Sequence, residues 1–228
     1  MNIDRLSESG KPSRRYDSPT RRAQAEETRR AIAHAARALF LERGWAGTRV
    51  RDVAERAGVS EPSVYAVYKN KAGLAMGLLD SLDDAADPMR ALRELDEATG
   101  DPTRQLAVFA AFDRRLFEHG GDAIVVIREA GRAVPDLAEV VSQGRMRGDR
   151  NRRRIFRSWP EGTLREGLDV DGARDVYAAL CNVDVYHVLT RERGWPPERV
   201  EEWWAETTAQ LILRREPTGG QRSPHAVQ

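Results

Sequence analysis

Apolar residues recur at helical spacing along almost the whole chain. Ile32, Ala35, Ala36, Leu39 and Phe40 form one stripe of a helix predicted from about Arg22 to Arg43. Gly44 ends it, and Trp45 is expected to pack back on it. Val50, Val53, Ala54 and Ala57 fall at i, i+3, i+4 and i+7, one face of a second helix that Thr48 is placed to cap. Gly58 supplies a residue able to take a left-handed backbone at that helix's end. Ser60 is a good N-cap for a short third helix over 61–68, with Pro62 in its first turn where a missing N–H costs nothing. A fourth helix starts near Asn70, carries Leu74, Met76, Leu78, Leu79 and Leu82, and ends near Asp87, before Pro88.

Residues 83–102 are acidic and broken by Pro88, Gly100 and Pro102, and read as a helix–loop connection; from Pro102 the pattern is helical. A short helix is expected over 89–98. Pro102 starts another, with Leu106, Phe109, Ala110, Phe112, Leu116 and Phe117 on its apolar side, and Gly120-Gly121 is read as its end. The run Ala123-Ile-Val-Val-Ile127 is compact and β-branched, which makes it the one plausible strand; its isolation among helices argues against that. Helices are then predicted over about 136–159, 171–193 and 198–215, separated by Pro160 and Gly162, and by Gly194 with Pro196-Pro197. The fold class is all-α. The organisation expected is a disordered basic tail (1–20), a helix-turn-helix unit (21–70), a larger helical domain (71–215) and a disordered tail (216–228).

Two helices joined by a tight Gly-containing turn have the layout of a helix-turn-helix, whose second helix enters the DNA major groove. An ordered set of residues makes this specific. It comprises Ala-Leu-Phe-Leu-Glu-Arg-Gly-Trp (38–45), Thr48, Val-Arg-Asp-Val-Ala-Glu-Arg-Ala-Gly-Val-Ser (50–60) and Val-Tyr-Ala-Val-Tyr-Lys-Asn-Lys (64–71). The set resembles the DNA-binding domain of the TetR family of bacterial one-component repressors. The resemblance covers about a fifth of the chain, and implies that Tyr65 and Lys71 contact phosphates. Thr48, at a helix N-terminus, is a further phosphate candidate, and Tyr68 can donate to phosphate or pack in the core. Glu61, Pro62, Ser63 and Ala66 are left to meet base edges, with Ser60 capping and Arg49 or the basic arm supplementing them. Ala66 and Val67 depart from the family's more polar or aromatic pattern, which leaves base reading by this helix modest.

Charge supports one DNA-facing end. Residues 1–71 hold 15 Lys and Arg against 9 Asp and Glu, while residues 72–228 hold 22 against 27. Lys11, Arg14, Arg15, Arg21 and Arg22 make a basic arm that can follow phosphates. Seven arginines in residues 145–157 resemble a nucleic-acid patch, but neighbouring acids favour a salt-bridged face. A single cysteine excludes an internal disulfide, no apolar run approaches the ~20 residues of a membrane span, and the first residues lack a signal-peptide core; a cytoplasmic location is expected.

The resemblance further implies that the helices after Leu79 sense a small molecule and dimerise. Phe109, Phe112, Arg128, Met146, Tyr177 and Cys181 are the pocket candidates, although each also suits plain core, and Arg128 can equally pair with a protein acid. Ala178, Asn182, Val185 and Leu189, with Trp204, Thr208 and Leu211, are candidates for a four-helix dimer interface. The four histidines are scattered, with no metal-ligand spacing, phosphate loop or nucleophile motif, so neither an enzyme nor a cofactor is expected. The expectation is a homodimeric repressor that binds a palindromic double-stranded operator and is released by a small-molecule effector. A DNA-bound regulator or structural protein without an effector is the alternative, and a helical enzyme is the weaker one.

Overall fold

The computed structural model describes residues 19–214, and the side chains of that span except at 19–21 and 80–85. Residues 1–18 and 215–228 of the expected tails, with Lys11, Arg14, Arg15 and the side chain of Arg21, lie outside the described residues, whereas Pro19 and Thr20, expected in the tail, begin the first helix. Ten α-helices follow one another: α1 (Pro19–Gly47), α2 (Val50–Ala57), α3 (Glu61–Tyr68), α4 (Lys71–Ala85), α5 (Pro88–Glu97), α6 (Pro102–Gly131), α7 (Pro135–Arg157), α8 (Val170–Leu180), α9 (Val183–His187) and α10 (Pro197–Ile212). A π-helical turn, Val188–Glu192, extends α9. Among the described residues the extended backbone pairs only once, at an antiparallel bridge between Leu164 and Leu213.

Helix ends follow local chemistry. α1 is interrupted at Gly44, whose φ of 67° lies in the left-handed region, and Trp45 then stacks on Phe40 at 5.3 Å. Asp87, Asp101 and Asp169 cap α5, α6 and α8 by accepting a backbone N–H three residues on. Proline stands in the first turn of α5, α6, α7 and α10.

The side chains close into two cores. The first holds Ile32, Ala35, Ala36, Leu39 and Phe40 of α1, Val53 and Ala54 of α2, Val64 and Tyr68 of α3, and Leu74, Ala75 and Leu78 of α4. Ala123 and Ile127 of α6 and Leu137 of α7 enter the same core. The second joins α5, α6, the end of α7, α8, α9 and α10 around Leu106, Phe109, Phe156, Tyr177, Tyr186, Val200 and Trp204.

Two expectations are corrected. Gly120-Gly121 does not end a helix; α6 runs through it, and the run at 123–127 is helical. The glycines mark a close approach instead, because a Cβ on Gly121 would come within 2.7 Å of His187 Nε2 and 3.2 Å of Val183 Cγ2. The helix expected over 171–193 is broken at Cys181-Asn182. There the Asn182 side chain accepts N–H bonds from Asp184 and Val185 and donates to the carbonyls of Ala178 and Ala179.

Gly77 makes a similar approach in the first core: a Cβ there would sit 2.1 Å from the Tyr68 ring. Gly144 on α7 has nothing within 4 Å of such a Cβ. Helix propensity alone favours alanine at both by about 1 kcal/mol. We predict that Gly144→Ala stabilises the fold, whereas Gly77→Ala destabilises it by about 1–3 kcal/mol through overpacking. Urea unfolding of the two variants reads the opposite signs directly.

Candidate nucleic-acid interface

The α2–α3 turn is built as its residues dictate. Gly58 adopts φ 67° and ψ 28°, and its N–H closes on α2 carbonyls. Ser60 caps α3 by accepting the N–H of Ser63 at 3.2 Å. The two serine hydroxyls also bond each other at 2.7 Å, so the Ser63 hydroxyl is partly committed to the cap. Val64 and Tyr68 turn inward; Pro62, Tyr65 and Ala66 are exposed, and Glu61, Ser63 and Val67 are half-buried. Tyr65 is 45% exposed, its phenol free to meet a partner outside the molecule. Arg49, at the N-terminal end of α2, is also exposed.

Lys71 opens α4. Its ammonium donates to the Trp45 carbonyl and lies 4.3 Å from the centroid of the Trp45 ring. Partial burial pulls its pKa below the ordinary lysine value. The Asn70 side chain caps the same helix through the Gly73 N–H at 2.7 Å. A lysine in the first turn of a helix opposes the helix dipole, and an anion placed there satisfies both. Trp45 as the seat of this ammonium is a feature the sequence pattern does not disclose.

Two DNA-contact candidates are core residues. Thr48 is 1% exposed, and its hydroxyl donates to the carbonyls of Leu39 and Gly44 at 3.0 and 2.9 Å. It therefore neither caps α2 nor faces a phosphate; it satisfies acceptors left over where α1 is interrupted. Tyr68 is buried over Gly77, and its hydroxyl donates to the Arg29 carbonyl at 3.3 Å, so it packs α3 onto α1 and α4.

The pocket and dimer candidates also divide. Phe109, Tyr177 and Cys181 are buried in the second core, with the rings of Phe109 and Tyr177 edge-on at 6.0 Å, and Phe112 borders them half-buried. Burial pushes the Cys181 thiol well above its ordinary pKa. Met146 is 44% exposed on the outer side of α7 and lies outside both cores. Arg128 is spent on a bidentate pair with Asp184 at 2.6 and 2.7 Å. Trp204 and Thr208 are fully buried against their own chain, because Val200, Trp204, Thr208 and Ile212 form the inward face of α10. Asn182 is consumed by the helix break. Ala178 and Leu211 are exposed, and Val185 and Leu189 are half-buried.

Sequence reasoning missed a buried polar group. Asp113 stands on the apolar stripe of α6, four residues after Phe109, at 2% exposure. Its Oδ2 accepts from Arg152 Nη2 at 2.6 Å and from the Tyr177 hydroxyl at 2.9 Å. Burial pushes its carboxyl above the usual range against the pull of Arg152, and the same burial holds Tyr177 well above its ordinary value. An acid at an i+4 position on an otherwise apolar face was the available signal. The run at 145–157 thus sends Arg152 inward and pairs Arg153 with Asp171 at 3.0 Å, while Arg145, Arg147, Arg150, Arg154 and Arg157 are exposed. Among the described residues no three His, Cys, Asp or Glu side chains gather where they could hold a metal ion, and no helix is long and apolar enough to cross a membrane.

Comparison with known proteins places this geometry. The family model described as "Bacterial regulatory proteins, tetR family" matches residues 32–76. The HTH-type transcriptional regulator TtgR of Pseudomonas putida is 40% identical over 74 residues, which are 32% of this chain and 35% of that protein. The chain thus spans about a third of the length of the first curated relatives it matches. The uncharacterized HTH-type transcriptional regulator YdeS of Bacillus subtilis is 30% identical over 160 residues, 68% of this chain and 76% of that one. Native NalD, the secondary repressor of the MexAB-OprM multidrug efflux pump in Pseudomonas aeruginosa, superposes with a TM-score of 0.69 at 23% identity, over 83% of this chain and 98% of its own.

The burial of Thr48 separates structural from DNA-contact roles. Thr48→Val removes a donor from two carbonyls and is expected to cost about 1–3 kcal/mol of stability. The salt dependence of DNA binding should not change, whereas loss of a phosphate contact would make it shallower.

Proposed function

This chain belongs to the TetR family of bacterial regulatory proteins, and we propose that it is a ligand-responsive repressor that binds a palindromic double-stranded operator as a homodimer. The observation that carries the reading is the α2–α3 unit. A left-handed Gly58 and a Ser60 cap present α3 with Pro62, Tyr65 and Ala66 outward, and Lys71 is seated on Trp45 next to it. Tyr65 and Lys71 position the protein on phosphates. Glu61, Pro62, Ser63 and Ala66 read base edges weakly, since none makes the bidentate contact that Arg, Asn or Gln makes. Arg49 adds a backbone contact. Specificity then leans on half-site spacing and DNA shape.

The dimer uses the outward faces of α8, α9 and α10, including Ala178, Val185, Val188, Leu189 and Leu211. Val188 and Leu211 are 40% and 38% exposed, and among the described residues no element covers these apolar side chains. Two copies related by a two-fold axis cover it reciprocally. Sensing is supported by the first core, in which α6 and α7 share residues with α1 and α4. An effector that favours one packing of α6 and α7 changes the spacing of the two α3 helices, provided it binds the two states unequally.

Titration of the full-length protein against duplex DNA at several salt concentrations tests the reading. Lys71→Ala should weaken binding to all sequences alike and lower the salt slope by roughly one unit per protomer. An unchanged slope contradicts the phosphate role. Val188→Glu combined with Leu211→Glu should give a folded monomer by sedimentation, with operator affinity lost; a persistent dimer contradicts the interface.

A further inference from the structure

The Asp113–Arg152 pair joins α6 to α7 in the second half of the molecule, and its burial is costly. Desolvation of two charges commonly cancels their attraction, and apolar residues of the same volume stabilise a core as well or better. Its surroundings point to recognition. The guanidinium carbon of Arg152 lies 4.5 Å from the Tyr177 ring centroid and 5.8 Å from that of Phe109. A carboxylate beside two aromatic faces is the composition of a site for an organic cation.

The two partners are not held alike. Asp113 is short, sits inside α6, and is pinned by the Tyr177 hydroxyl. Arg152 is long and comes from α7, where its neighbours Arg150, Asn151 and Arg154 are exposed. Its Nε is buried without a hydrogen-bond partner. Its guanidinium passes over Gly148, where a Cβ would come within 2.8 Å of Nη1. Arg152 is therefore the half that can leave: the missing Cβ of Gly148 gives its guanidinium room, and Asp149 Oδ1 on the same helix, 3.7 Å from Nη1 and closer to solvent, offers it a second acid.

We propose that Arg152 is a built-in stand-in for the effector, and that the effector is an organic cation whose head group takes its place between Asp113, Tyr177 and Phe109. This rests on the ligand-responsive reading above and specifies its ligand class. An anion would have to replace Asp113, which cannot withdraw, and would face the negative faces of two rings. The exchange also has a route to DNA. Displaced Arg152 belongs to α7, whose other end places Leu137 in the first core, which α1 and α4 share. The cation binds only the state with Arg152 out, which supplies the differential affinity a switch requires.

Calorimetric titration of the full-length protein decides it, with phenyltrimethylammonium, its uncharged isostere tert-butylbenzene, and benzoate as probes. The cation should bind, the isostere about tenfold or more weakly, and benzoate not at all. Arg152→Met removes the competitor and should tighten cation binding by about tenfold or more. The same variant leaves Asp113 unpaired, so its Tm should fall and then recover on adding the cation by more than the wild-type Tm rises. Asp113→Asn should abolish the binding. Benzoate outcompeting the cation, or Arg152→Met showing neither tighter binding nor recovery of Tm, overturns the proposal. Release of operator DNA by a compound indifferent to both substitutions also overturns it, while ligand-responsive repression stands. Cation exchange without DNA release leaves the cation site standing and overturns its role as effector site.

Discussion

The DNA-binding end of the molecule shares its core with the larger helical part. α2 and α3 are eight residues each, too short to persist alone in water. Val53, Ala54, Val64 and Tyr68 close them onto α1 and α4, and Ala123, Ile127 and Leu137 from α6 and α7 complete the same cluster. Close-packed interiors repack between discrete arrangements rather than deforming smoothly. Any rearrangement of α6 or α7 therefore reaches the helices on which α3 stands. Polar contacts reinforce the seam: Arg37 donates to the His119 carbonyl, joining α1 to α6, and Arg115 Nε donates to the Ala86 carbonyl at 2.9 Å, joining α6 to the end of α4.

The second core is organised by charge as well as by apolar packing. Arg114 bridges Glu118 and Glu201 at 2.5 and 2.9 Å, which ties α6 to α10, and Arg128 ties α6 to α9 through Asp184. Pairs that reach solvent contribute little individually and serve mainly to set register. Asp113 with Arg152 is different in kind, because breaking a buried pair strands a charge. That asymmetry makes it a poor stabiliser and underlies the exchange proposed for it.

Much of this was legible in the chain. The all-α class, the Gly58 turn, the Ser60 cap and the limits of α3 and α4 follow from local residue chemistry, and local chemistry is what a sequence displays. Contacts between distant segments are not displayed. Gly120-Gly121 reads as a stop until α9 is seen lying against it, and Thr48 reads as a cap until its hydroxyl is found on α1 carbonyls. Helical periodicity placed Trp204 and Thr208 on one face of α10 but could not say whether that face looked inward or out. Periodicity puts Asn182 inside a helix, although an asparagine more readily caps a new one, as it does here. The pairing of Asp113 with Arg152 spans 39 residues, beyond any local pattern.

The proposed function requires α3 and its flanking residues to dock a two-fold protein on a two-fold DNA site. Selection of bound sequences from a random duplex pool by the full-length protein at moderate salt tests it most directly. The account predicts enrichment of a palindrome whose half-sites lie about one helical turn, or a multiple of it, apart. Recovery of no common motif, with binding that is uniform across sequences, would contradict it.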